Sequence, residues 1–220
     1  MLDSYLVFII YCIMKNNKFA TLASTASIDK ATTALTAHGI TVHVADNSDG
    51  AKKLVHALIP KGAEVMTASS ITLENLGITK EINESGKYKS VKEELSKLNR
   101  VTDSLTMQKI GAAPEYIIGS VHAVTEDGKV LIASNTGSQI PGYVYGASHV
   151  VWVVSTKKIV KNLDEGFERI NKYVLPLEDK RLKSVYGPQV ESQVRKLLIV
   201  NSEITPNRIN LIFVKEDLGF

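Results

Sequence analysis

Two short stretches combine residue types suited to holding negative charge. Ser69-Ser70 stand between a strand-like run, Ala63-Glu64-Val65-Met66-Thr67, and a helical one, Ile71 to Leu76. At such a handover the backbone N–H groups of the first helical turn have no intrahelical partner, and the helix dipole lies behind them. Asn135-Thr136-Gly137-Ser138 form the second stretch, with a strand before it and a helical run after it. Its glycine permits close backbone approach and its three short polar side chains can donate hydrogen bonds. Ligands of open α/β sheets collect beyond the C-terminal ends of strands, where both stretches are expected. Each also has a plainer reading, Ser70 as an ordinary helix cap and residues 135–138 as a glycine-containing turn.

Other chemistry-bearing residues are more isolated. Glu126-Asp127-Gly128 separates two β-rich runs, and Asp-Gly is a strong hairpin signal, so Glu126 reads as a solvated turn residue. His38, His43, His56, His122 and His149 fall on separate elements without metal-ligand spacing. His122 precedes Glu126 by four residues on one strand, hence on the same face, but too far along for direct contact. The single cysteine, Cys12, forms no internal disulfide and no thiolate zinc site, so no metal is expected. No dinucleotide fingerprint, Walker loop or nucleophile elbow is present.

The elements that must position these residues alternate between helical and strand periods, the mark of an α/β fold with a mostly parallel sheet. Residues 17–38 read as a helix stopped by Gly39, followed by a strand at Ile40 to Val44. Ser48 is expected to cap a helix whose Ala51, Leu54, Val55, Leu58 and Ile59 form one apolar stripe. Glu81 to Gln108 carries charge pairs such as Lys92, Glu93, Glu94 and Lys97 and reads as surface helices. Tyr116 to Gly119, Val121 to Thr125 and Lys129 to Ala133 are strands, the last two forming a β-hairpin. His149 to Ser155 is apolar on both faces, as a central parallel strand should be, and Trp152 within it is core. Asp164 opens a further helix, residues after Pro176 read as a charged loop to Arg195, and Lys196 to Val200 and Ile209 to Val214 are the last strands.

Composition sets the outer bounds. With 220 residues, 44% hydrophobic and 22% charged, the chain has an ordinary globular make-up and enough length for one sizeable core. A net charge of +3 with interspersed signs makes no case for nucleic acid. Leu6 to Met14 is apolar throughout but far short of the ~20 residues a membrane-crossing helix needs. It has the length of a signal-peptide core, yet Asp3 and no Lys or Arg precedes it. Residues 1–17 are therefore set apart as an apolar extension, Met14 being a plausible alternative start, and residues 18–220 as one α/β domain. No membrane partner is expected, and one cysteine favours a reducing, cytoplasmic setting.

Several runs resemble the LUD-domain family, to which lactate utilisation protein C belongs. They are Ala68 to Ile78, Tyr116 to Lys129, Asn135-Thr136-Gly137-Ser138, Val150 to Val154 with Lys158-Ile159-Val160, and Glu216-Asp217-Leu218-Gly219-Phe220. The resemblance implies the fold shared by ribose-5-phosphate isomerase, glucosamine-phosphate deaminase, CoA transferases and formyltetrahydrofolate cyclo-ligase: a Rossmann-like sheet flanked by helices. It also makes Glu126 similar to the turn glutamate that serves CoA transferases as nucleophile. Two departures stand out. Leu182 to Val200 holds none of the cysteines common in the nearest subgroup, and Ser138-Gln139 replaces an Asn-Arg continuation, removing a guanidinium that could grip an anion.

The resemblance implies a protein that assists lactate or related hydroxy-acid utilisation. A small anionic metabolite would bind at Ser69, Ser70, Asn135, Thr136, Gly137 and Ser138, with Glu126 as the candidate for catalysis. Alternatives are a non-catalytic partner of iron-sulfur redox subunits, acyl transfer through Glu126, and ligand sensing without turnover. No cofactor is assigned, and a homo-oligomer is the default assembly.

Overall fold

The computed structural model describes residues 17–220. The apolar run Leu6 to Met14 and the question of the start residue lie outside them. Among the described residues ten strands form two sheets, one of six strands and one of four.

The chain enters through a short 3-10 turn, Lys18–Ala20, and then α1, Thr25–Ala37. The expected helix over 17–38 is thus two pieces, because Ser24 is extended and its hydroxyl accepts the Ser27 N–H, starting α1 afresh. Gly39 ends α1 with φ +81, and a Cβ there would lie 2.1 Å from the Glu203 carbonyl oxygen. Next come β1 (Thr41–Ala45) and α2 (Ser48–Leu58). Asn47, not Ser48, caps α2 by accepting the Gly50 N–H at 2.9 Å. Strand β2 (Glu64–Thr67) leads to α3 (Ile71–Asn75) and α4 (Ile78–Glu84). The polar stretch that follows holds α5 (Val91–Ser96) and α6 (Ser104–Ala112), with Lys97 and Glu93 paired at 3.0 Å. It also hides a two-residue strand, β3 (Lys89–Ser90), too short to leave a periodic signal.

Strands β4 (Tyr116–Gly119), β5 (Ala123–Thr125) and β6 (Val130–Ser134) precede a π-helical turn, Gly142–Gly146, and β7 (His149–Ser155). Strand β8 (Ile159–Val160) precedes α7 (Leu163–Arg169), which Asn162 caps and Leu163 opens, one residue before the expected Asp164. A second π-helical turn, Ile170–Val174, joins α7 to α8 (Leu175–Tyr186). Residues 177–186 are therefore helical where a loop is expected after Pro176. The Leu175 N–H bonds back to the Ile170 carbonyl, five residues away, and this shift in the ladder lets a residue without an N–H continue the helix. Strands β9 (Lys196–Val200) and β10 (Ile209–Val214) complete the set.

The large sheet is parallel throughout, in the order β1-β10-β7-β4-β2-β3. Alternation along its central strands separates two cores. Val150, Trp152, Val154, Leu211 and Phe213 pack on one face with α1 and the hairpin, and Val151, Val153, Ile212 and Val214 pack on the other with α2, α3 and α4. Trp152 is fully buried and meets Tyr143 edge-on at 5.5 Å between ring centres. The hairpin β5–β6 belongs to the second sheet, β8-β5-β6-β9, which packs on Ile170, Tyr173 and Val174. Arg208 fixes the loop beyond β6: its guanidinium donates to the carbonyls of Gly142, Tyr143 and Ala147 and pairs with Glu203 at 2.7 Å. Among the described residues no helix is long and apolar enough to cross a membrane.

Candidate functional site

Because the large sheet is parallel, the residues leaving the C-terminal ends of β2, β4 and β7 emerge on one side. Ser69-Ser70 follow β2, Ser120 to His122 follow β4, and Lys158 follows β7. Together with residues 133–139, the end of β6 and the loop beyond it, they line one cleft of about 1230 Å³. The two bends singled out by their residue types thus share a wall of the same cavity. This is the position at which ligands of open α/β sheets gather.

Several of their polar groups are already engaged. The Ser70 hydroxyl accepts the Leu73 N–H at 3.4 Å, a long capping bond on the five-residue α3. In the second bend the Gly137 N–H donates to Ser134 Oγ at 2.8 Å, and the Ser138 N–H reaches Thr136 Oγ1 at 3.3 Å. These amides are turned into the loop rather than left open, so the hydroxyls of Ser69, Thr136 and Ser138 are what the bends offer a ligand. Gln139 accepts from Ser134 Oγ at 3.0 Å, and a guanidinium does reach this loop, but from Arg195, whose Nε donates to Asn135 Oδ1 at 2.9 Å.

Gly137 sits at φ +88, and a Cβ there would come within 2.6 Å of Lys196 Cδ. Gly137→Ala is expected to cost about 1–2 kcal/mol, from the left-handed backbone and the displaced lysine stem. Urea unfolding of the variant beside the parent measures this, and an unchanged midpoint would mean that the turn relaxes freely.

The strongest electrostatic feature comes from residues that composition and spacing do not single out. Lys158 is 3% exposed, and its Nζ donates to Thr72 Oγ1, Ser120 Oγ and the Val121 carbonyl, each at 3.1 Å. All three acceptors are neutral. Burial, with the charges of Arg169 and Lys157 nearby, pulls its pKa well below the ordinary lysine value. Arg169 is fully buried behind it. One of its nitrogens donates to the His122 carbonyl at 2.6 Å, while Nε and Nη2 have no hydrogen-bond partner among the described residues. Burial lowers its pKa to about 10, a rare loss for a guanidinium.

His122 completes the group. The Ala133 N–H donates to its Nδ1 at 3.1 Å, which places the ring proton on Nε2. Burial, then Lys158 and Arg169, lower its pKa to about 3, so the ring is a neutral donor at physiological pH. Lys92 and Arg100 also line the cleft, and burial beside Arg100 lowers the pKa of Lys92. The cleft's acidic residues are Glu74 and Glu178, and Glu178 is bound by Arg181 at 2.7 Å. Among the described residues no carboxylate lies within ion-pair distance of Lys92, Arg100, Lys158 or Arg169, which leaves positive charge uncompensated around the cavity.

Glu126 is elsewhere. It lines a separate, shallow depression with Asp29, Lys30 and Lys161, and its carboxylate pairs with Lys30 at 3.1 Å. Ser27 and Lys30 hold its pKa below the usual carboxylate range. His122 precedes the start of β5, so strand alternation does not govern it, and it lines the cleft while Glu126 does not. Among the described residues no group of His, Cys, Asp and Glu is placed to hold a metal ion.

A family model described as the LUD domain matches residues 28–214 of this chain. No curated protein matches it. Among solved structures it is similar to a DUF162 family protein from Deinococcus radiodurans, with a TM-score of 0.55 and 11% sequence identity. That match covers 88% of this chain and 99% of the other, and at such identity it bears on the fold alone. The family match takes in both bends, the buried Lys158 and all ten of the described strands, the last to its final residue; the chain belongs to the LUD domain family.

Proposed function

We propose that the cleft binds a small carboxylate, lactate or a related hydroxy acid, and that the protein assists the use of such metabolites. The family is associated with lactate utilisation in general. The observation that carries the reading is Lys158: a buried amine on the cavity wall whose partners are all neutral, so that its protonated form has no counter-ion among the described residues. An uncompensated buried charge is costly, and an incoming anion relieves that cost. In this reading Lys92 and Arg100 supply the standing charge, Lys158 takes up a proton as the anion enters, and the His122 Nε2–H makes a directional hydrogen bond to the ligand. The hydroxyls of Ser69, Thr136 and Ser138 contact its polar atoms, while Ser70, Asn135 and Gly137 shape the two bends. Glu126 lies outside this site and takes no part in it.

Thermal unfolding in the presence of L-lactate, glycolate, inorganic phosphate and a sugar phosphate tests the reading. A ligand at about 100 times its Kd adds about 2.7 kcal/mol, roughly 5–10 °C for a chain of this size. The expected result is a shift with the hydroxy acids that Glu126→Ala leaves intact. No shift with any of these anions at millimolar concentration would overturn the proposal.

A further inference from the structure

The surroundings of Lys158 suit a neutral amine, and an anion grip does not require one. A lysine placed only to hold an anion would aim its ammonium hydrogens at the ligand. Here those hydrogens are directed at Thr72, Ser120 and Val121. Two of the three partners are hydroxyls, which can donate as readily as they accept. With one N–H on the Val121 carbonyl and a hydroxyl turned toward the nitrogen, an unprotonated amine is as well satisfied as an ammonium. Among the described residues no carboxylate is within reach to keep the proton in place. Arg169 and Lys157 stand behind the amine, Lys157 being held by Asp217, and both disfavour a third positive charge.

Resting on the reading above, we propose that Lys158 takes the oxidised relative of a hydroxy acid, a 2-oxo acid, and holds it in the cleft as an imine. A buried amine flanked by other cations is a nucleophile near neutral pH, and its natural electrophile is a ketone or aldehyde carbon. The charge on Lys92 and Arg100 favours a carbonyl compound that also bears an anion. A hydroxy acid offers the same carboxylate but no electrophilic carbon, so it would occupy the cleft reversibly and without bond formation.

The step balances without any further reactant. The Nζ lone pair attacks the carbonyl carbon, and the carbonyl π pair moves onto oxygen. One nitrogen-bound proton passes to that oxygen, with the Ser120 hydroxyl, 3.1 Å from Nζ, available to relay it. The resulting hydroxyl then leaves with the second nitrogen-bound proton as water, forming C=N. The His122 Nε2–H is a neutral donor on the same cavity wall, and it stabilises charge on the oxygen without itself giving up a proton.

Hydride trapping of the full chain provides the test. The protein is incubated with pyruvate or glyoxylate and sodium borohydride, then weighed intact and mapped by peptides, while thermal unfolding is followed separately with the same acids and with L-lactate. The expected result is one reduced adduct per chain, located on Lys158, absent from Lys158→Met and suppressed by excess L-lactate. If pyruvate raises the melting temperature yet no adduct forms on Lys158, or adducts scatter equally over surface lysines, imine formation is overturned and the anion site stands. If neither pyruvate nor lactate shifts unfolding and nothing is trapped, the anion site falls as well. Should Lys158→Met not fold, peptide mapping of the parent protein decides alone.

Discussion

Lys158→Met is expected to raise the melting temperature of the unliganded protein at neutral pH and to abolish its response to small carboxylates. The sign follows from linkage. Lys158 has a folded-state pKa well below its unfolded value of 10.5, so the folded protein holds its proton less tightly than the unfolded chain. Below the folded-state value this difference destabilises the fold in full, and the penalty is relieved as pH rises toward 10.5. Methionine fills a similar volume without charge. Replacing buried ionic groups by apolar ones is worth up to about 1–4 kcal/mol, or roughly 2–4 °C per kcal/mol for a chain of this length. The advantage of the variant should therefore shrink between neutral pH and pH 10. Melting curves of both proteins across that range measure it, and a variant destabilised equally at every pH would show that the lysine is a structural support.

Between neutral pH and the carboxylate range, acid should act mainly through His122. Its folded-state pKa of about 3 lies below the unfolded value of 6.5, so stability is lost as pH falls through that window. The slope contributed by this one ring is at most about 1.4 kcal/mol per pH unit, less where the cleft admits water to the ring edge. Two changes make protonation costly: it forfeits the Ala133 N–H bond to Nδ1, and it adds a cation beside Lys158 and Arg169. In His122→Asn the side-chain oxygen replaces Nδ1 as acceptor and carries no titration. Urea midpoints at pH 4 to 7 should fall less steeply for the variant than for the parent, and parallel slopes would remove His122 from the account.

The parts of this molecule legible in its residues are those where local pattern and burial agree. His149 to Ser155 and Ile209 to Val214 are apolar on both faces because each lies between two layers of packing, and that leaves continuous hydrophobic runs. The two bends were legible because a strand-to-helix handover needs short polar residues and glycine whatever else it does. Their shared cavity follows from sheet order, which no local spacing encodes. Pro176 misleads because a π-helical turn five residues long absorbs it, a solution set by the packing of Ile170, Tyr173 and Val174 on the second sheet.

The buried cations were the least visible part. Lys157-Lys158 looks like a solvated pair, and Arg169 like one more charge on the polar side of a helix. Their burial is a tertiary outcome. One signal was present: two lysines directly after an all-apolar parallel strand stand where α/β sheets place their ligands, and that position says more about them than their charge does.

Strand β10 lies between β1 and β7, although β1 precedes it by 164 residues. During synthesis at about 5–20 residues per second, β1 would wait on the order of ten to thirty seconds for its strand neighbour to leave the ribosome. Until then the nascent sheet is a four-strand fragment with the backbone amides of β7 open along one edge, vulnerable to pairing with other nascent chains. Chaperone demand and a slow refolding phase belong to this topology whatever occupies the cleft.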